Sequence, residues 1–285
     1  MNAQIVEPKM KTLATPRPVF ILPILLFVFV FTLASFPGSL LHEGGHALVN
    51  LASGVRITNF IIHPFSFAGY VRPFVDSNNV WQHAAGPLGG LIPGLAIFIL
   101  CWKRRSPALL PLLLMFPMDA IVQGLAAAML LYDYNNLVNI IGIPALLLQI
   151  PGILLIVVGI FLTISLFPLF GLSPQDKKSL FVFPAGFFLC TVFGLVIAYI
   201  FVPVSSFYKT EGVVAETLNS AHQAMIAMTV LGAVLSALYV SLYRWLSPKL
   251  PAWLRTEPVT LAWKDLRLLA ALFAVCVAVG LIIIR

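Results

Sequence analysis

Two histidines and a glutamate stand together in an otherwise apolar stretch, His42-Glu43-Gly44-Gly45-His46. Residues four apart share one face of a helix, so both imidazoles can reach a single metal ion. Glu43 follows the first histidine and can take a proton from a water that the metal activates. The H-E-x-x-H pattern therefore points to a zinc centre suited to hydrolysis. Gly44 and Gly45 are poor helix formers. Their place inside the pattern predicts close approach of another helix or of a substrate.

Two histidines leave zinc short of a third protein ligand. The chain holds only ten Asp and Glu together, which keeps the candidates few. Asp119 falls mid-span in Phe116-Pro117-Met118-Asp119, where the alternatives are a buried acid hydrogen-bonded across helices or a separate polar pathway. Asp133 opens Asp133-Tyr134-Asn135-Asn136, between the end of one apolar span and the start of another. Glu211 and Glu216 lie in a polar stretch, residues 205–220. Glu216 would suit the helical membrane zinc proteases that use a downstream glutamate. His63 and His83 are candidates to orient substrate or stabilise an oxyanion, set against a place at the membrane interface. Asn135 and Asn136 could steady a ligand or donate to an oxyanion, or be plain loop residues. His222 follows a polar loop and carries no assignment.

The elements that must position these groups follow from composition. Of 285 residues, 60% are hydrophobic and 9% charged, with a mean hydropathy of +1.01. Soluble domains carry roughly 25% charged residues. This chain cannot cover a water-facing surface, which excludes a soluble enzyme, a DNA-binding module and a disordered hub. The net charge of +7 reads as basic cytoplasmic loops, not as nucleic-acid binding. Cys101, Cys190 and Cys276 form no C-x-x-C pair and read as packing residues.

A first span covers Val19–Phe36, retained as a signal anchor because its apolar run exceeds a signal-peptide core. Pro37-Gly38 then predicts a break, followed by a short helix over Ser39–Ala52. Val55–His63 and Phe67–Val75 are β-rich around a Pro64-Phe65-Ser66 turn, which predicts a hairpin. Further spans are expected at Val80–Trp102, Ala108–Leu131, Gly142–Leu169, Leu180–Val204, Ala221–Tyr243 and Leu268–Ile284. The glycines from Gly86 to Gly94 predict a helix-packing face. The expected fold is an all-α polytopic membrane protein of about seven or eight membrane-embedded helices with a small β-hairpin insert. Residues 1–18 form a cytoplasmic tail, 19–170 the membrane core, and 171–285 accessory transmembrane helices.

In order along the chain, these features resemble the site-2 protease family of intramembrane zinc metalloproteases, particularly its compact bacterial branch without a PDZ domain. The H-E-x-x-H lies in an early helix and a β-rich insert follows it. Ala85-Gly86-Pro87 opens the next long span, and an aspartate heads a later one. The family has A-G-P-x-x-N and a later D-G. Here Gly90 stands in the asparagine's place and Asp133-Tyr134 replaces Asp-Gly, with Gly142-Ile143-Pro144 downstream. The resemblance covers roughly residues 19–170.

The resemblance implies one zinc ion held by His42, His46 and Asp133, with Glu43 as general base. The substrate would be a membrane protein or peptide, cut in or beside a transmembrane segment that the hairpin edge holds unwound. It also implies a bacterial cytoplasmic membrane location; a nucleic-acid partner is not expected, since no segment combines dense basic residues with exposed aromatics. The alternative class is a non-catalytic protease-like scaffold or a transporter-like bundle. An intact Glu43 argues against it, since binding a metal does not require that residue. Sidedness divides the expectations. Thirteen of the Lys and Arg residues fall on the amino-terminal side and four on the side of the hairpin. The charge rule makes the richer side cytoplasmic, whereas the resemblance places the site nearer the cytosol.

Overall fold

The structure is a computed structural model that describes residues 21–57, 59–62, 69–72, 79–173, 179–201 and 256–283, with part of 218–245. In lipid every backbone polar group must be satisfied within the protein, and an apolar chain does this by forming helices. Helices α1 (Ile21–Ala52), α2 (Val80–Trp102), α3 (Leu110–Met129), α4 (Asp133–Asn139) and α5 (Leu146–Leu166) build the first half. Strands β1 (Asn59–Ile62) and β2 (Gly69–Arg72) lie between α1 and α2, and α6 (Ser179–Phe201) and α7 (Trp263–Ile283) follow. Among the described residues, four helical stretches are long and apolar enough to cross a membrane: Ile21–Ala52, Val80–Trp102, Pro107–Asn139 and Leu146–Phe170. The outward stripe of α5, including Leu146, Leu147, Ile150, Leu154 and Val157, fits a lipid-facing surface.

The expected break at Pro37 does not occur. One helix of 32 residues runs through it. A proline inside a helix costs about 3 kcal/mol through a lost donor and a crowded preceding turn. Packing on both sides of Pro37 offsets that cost. Towards the amino terminus, Phe27 meets Phe187 of α6 at 4.6 Å between ring centroids and Phe29 meets Phe273 of α7 at 5.3 Å. Towards the carboxy terminus, α1 lies against α2 and α3. What stops α1 is Gly54, at φ 74°, with Val55 N–H bonded to Asn50 O at 2.9 Å and Gly54 N–H to Leu51 O at 3.0 Å. That pair of bonds is a Schellman ending, which favours glycine at the left-handed position.

The next helix starts on Asn79, whose Oδ1 accepts from the Trp81 N–H at 3.0 Å. Before it, β1 and β2 pair antiparallel, with Asn59 opposite Arg72 and Ile62 opposite Gly69. The expected turn, residues 64–66, lies outside the described residues.

Small residues set the helix contacts. A Cβ on Gly45 would collide with Ala85 O, and one on Gly89 would lie 2.7 Å from Leu41 O. Glycine at both positions lets α1 and α2 meet backbone to backbone. Gly44 faces open space, so only its neighbour is needed for packing. Gly94 faces Phe116 of α3, and Gly124 and Gly152 bring α3 and α5 together. Residue pairs running in opposite senses make α1–α2, α2–α3 and α3–α5 each antiparallel. The carboxy-terminal end of α1, the start of α2, the end of α3 and α4 therefore share one end of the bundle.

The core at the other end is aromatic. Phe27, Phe31, Phe170 and Phe187 are buried together. The later chain is tied there as well: Tyr239 Oη donates to Leu172 O at 2.9 Å, and Thr256 Oγ1 donates to Ser165 O. The three cysteines form no disulfide.

Candidate metal centre

The helical spacing of His42 and His46 puts both rings on one side of α1, 5.1 Å apart between centroids. Asp133, first residue of α4, reaches them from the other side. Its Oδ2 lies 3.4 Å from His42 Nε2 and 3.4 Å from His46 Nε2. One ligand atom from each of the three residues falls within 4.8 Å of the others, so the group can hold a metal ion. A four-coordinate metal of zinc's size holds N and O ligands at about 2.0–2.2 Å, which sets neighbouring donors about 3.3–3.6 Å apart. Both separations to Asp133 fall in that range.

The tautomer of His46 also fits. Its Nδ1 lies 2.8 Å from Gln82 O. A carbonyl oxygen only accepts, so Nδ1 carries the proton and the neutral ring keeps its lone pair on Nε2. That lone pair faces the Asp133 carboxylate oxygen 3.4 Å away, a spacing that a shared cation would fit. Gln82 is itself fixed by its side-chain N–H donating to Asn50 Oδ1 at 3.2 Å.

Gly86 leaves the room. A Cβ there would collide with His46 Nε2 and lie 2.7 Å from His42 Nε2. The glycine of Ala85-Gly86-Pro87 thus keeps a space open in front of both ligand atoms.

Asp133 is aimed by a tight corner. Leu130 ends α3 left-handed at φ 54° and Tyr132 precedes α4 at φ 51° with ψ −122°, both at positive φ, which side-chain-bearing residues seldom adopt. Strain of this kind collects where the chain must present a functional group. Glu43 is buried beside the trio, within electrostatic reach of His42, His46 and Asp133.

The other sequence candidates fall elsewhere. Asp119 is buried in α3 and stands apart from the trio; its Oδ1 accepts from Gln123 Nε2 at 3.3 Å, along its own helix and not across to another. Its Oδ2 lies over Gly90, where a Cβ would come within 2.5 Å. The position that carries asparagine in the resembled family is here a glycine that makes room for a carboxyl from α3. His83 is fully buried near the start of α2, which packs against α1 and α4. Asn135 is exposed and accepts from Asn139 Nδ2 at 2.7 Å, while Asn136 is partly exposed on the same short helix. His63, Glu211, Glu216 and His222 lie outside the described residues.

Two site groups were not singled out from the sequence. Gln123 Nε2 approaches His42 Nδ1 at 3.2 Å, and Gln82 supplies the carbonyl to His46. The signal for Gln123 is an amide inside an apolar span, one helical turn after Asp119. Gln82 acts through its backbone, which no side-chain pattern reveals. In comparisons with known proteins, no family model, no curated protein and no solved structure matches the chain.

Proposed function

We propose that this chain is an intramembrane zinc metalloprotease of the site-2 type, hydrolysing a peptide bond in or beside a transmembrane segment of a membrane protein. The observation that carries the reading is the convergence of His42 Nε2, His46 Nε2 and Asp133 Oδ2, with Glu43 buried beside them. Zinc, when bound, polarises the scissile carbonyl and lowers the pKa of an attacking water.

The chain's own residues do the rest. Glu43 takes the water proton and returns it to the leaving amine. Gln82 O holds His46 in the tautomer that ligates. Each strand of the β1–β2 pair has an edge unused in that pairing, where an unwound substrate segment can add as a further strand. Residues 19–170 form the protease core within a bundle of about seven or eight spans, the hairpin included as its insert. Residues 171–285 are accessory transmembrane helices, of which α6 and α7 brace the amino-terminal half of α1. The setting is a bacterial cytoplasmic membrane.

The test uses purified protein in detergent with unwound membrane-segment peptides. Wild type and Glu43→Gln should carry zinc equally, with cleavage lost only in the variant. Absence of zinc from the wild type, or undiminished cleavage by the variant, overturns the reading.

A further inference from the structure

The outer face of His42 is built differently from that of His46. Nδ1 of His46 meets a carbonyl, which fixes a proton on that nitrogen. Nδ1 of His42 meets the amide nitrogen of Gln123 at 3.2 Å. That nitrogen only donates, so His42 Nδ1 accepts and the proton of the neutral ring sits on Nε2. In this setting the Nε2–H points at Asp133 Oδ2, 3.4 Å away. A ring protonated on Nε2 has no lone pair there for a metal.

Gln123 has partners that suit two settings. As placed, its Nε2 also donates to Asp119 Oδ1 at 3.3 Å, and its Oε1 lies 3.5 Å from the Tyr134 hydroxyl. A half-turn of the amide exchanges oxygen and nitrogen with the carbon skeleton unmoved. Oε1 then accepts from His42 Nδ1–H and the bond to Asp119 Oδ1 is given up, while Nε2 donates to the Tyr134 hydroxyl, which can accept as well as donate. Both Gln123 and Tyr134 are buried, which disfavours water as a substitute for either partner.

We propose that Gln123 is a positioning residue of the metal centre, whose amide turns on metal uptake to offer its oxygen to His42 Nδ1–H. Tyr134 holds the metal-loaded setting and Asp119 the metal-free one. This rests on the reading that the trio binds a metal, and not on hydrolysis. Outer partners of ligating histidines typically change metal affinity by about 10–100-fold.

The experiment titrates the full-length protein in detergent with Co²⁺, following its visible absorption as a stand-in for zinc. Gln123→Met keeps the side chain's length and loses both hydrogen-bonding groups, and should weaken Co²⁺ binding by about 10–100-fold. Gln123→Glu restores an acceptor and should return affinity to near wild type, which a merely structural role would not predict. Tyr134→Phe preserves packing and should weaken binding several-fold, so the idea remains testable should Gln123→Met fail to fold. Asp119→Asn should not weaken binding. Wild-type affinity in Gln123→Met or in Tyr134→Phe, or equal loss in Gln123→Met and Gln123→Glu, overturns the proposal. A wild type that takes up no cobalt overturns it together with the metalloprotease reading. The predicted order of affinities without peptide cleavage would sink the protease reading alone.

Discussion

Gly86 faces His46 so closely that a single methyl group on the glycine would collide with its Nε2. Helix propensity favours alanine over glycine by about 1 kcal/mol, and the obstructing atom is the far end of a side chain that can swing aside. Gly86→Ala should therefore leave the metal-free fold as stable as wild type or more so, while zinc affinity drops at least about tenfold. Thermal unfolding and metal titration of the same preparation check the two halves.

Asp133 and Asp119 are both acids within the bundle, yet they have different work. Asp133 Oδ2 is shared between the two histidines, whereas Asp119 Oδ1 is engaged by Gln123. Zinc content should fall in Asp133→Asn and stay unchanged in Asp119→Asn and Glu216→Gln, as measured by elemental analysis. Loss of zinc in the Asp119 variant would move the ligand to α3.

Gly90 and Asp119 occupy one volume. Gly90→Asn alone should destabilise by about 1–3 kcal/mol through overpacking. Adding Asp119→Ala should recover most of that loss, with a coupling above about 0.5 kcal/mol in a double-mutant cycle. Additive effects would mean that the two positions do not share space.

The histidine pair was legible because its geometry is local: four residues on a helix always share a face. Asp133 was legible from the scarcity of acids and the order of elements. Gln123 was not, because a helix that is apolar all round gives no polar stripe to tell which side faces α1. The hidden burial of His83 has the same cause. The break expected at Pro37 failed for the opposite reason, since local propensity yielded to packing by α6 and α7 on one side and α2 on the other. Within the β-rich segments, Asn59–Ile62 and Gly69–Arg72 pair as strands.

Tyr132 is 82% exposed and sits at φ 51°, so its side chain contributes little beyond the cost of its Cβ. Valine, branched at Cβ, tolerates that conformation least. Tyr132→Val should lower stability by about 1–2 kcal/mol and weaken zinc binding with it. Tyr132→Gly should do neither. Denaturation in mixed micelles, with and without zinc, separates the two effects.

The most direct measurement is a crystal structure of the zinc-loaded protein with anomalous data collected on both sides of the zinc absorption edge. One peak is expected, with His42 Nε2, His46 Nε2 and Asp133 Oδ2 each about 2.0–2.2 Å from it and Glu43 outside the ligand set. A peak bonded to Asp119 or Glu216 in place of Asp133, or zinc bound anywhere but between the two histidines, would contradict the assignment.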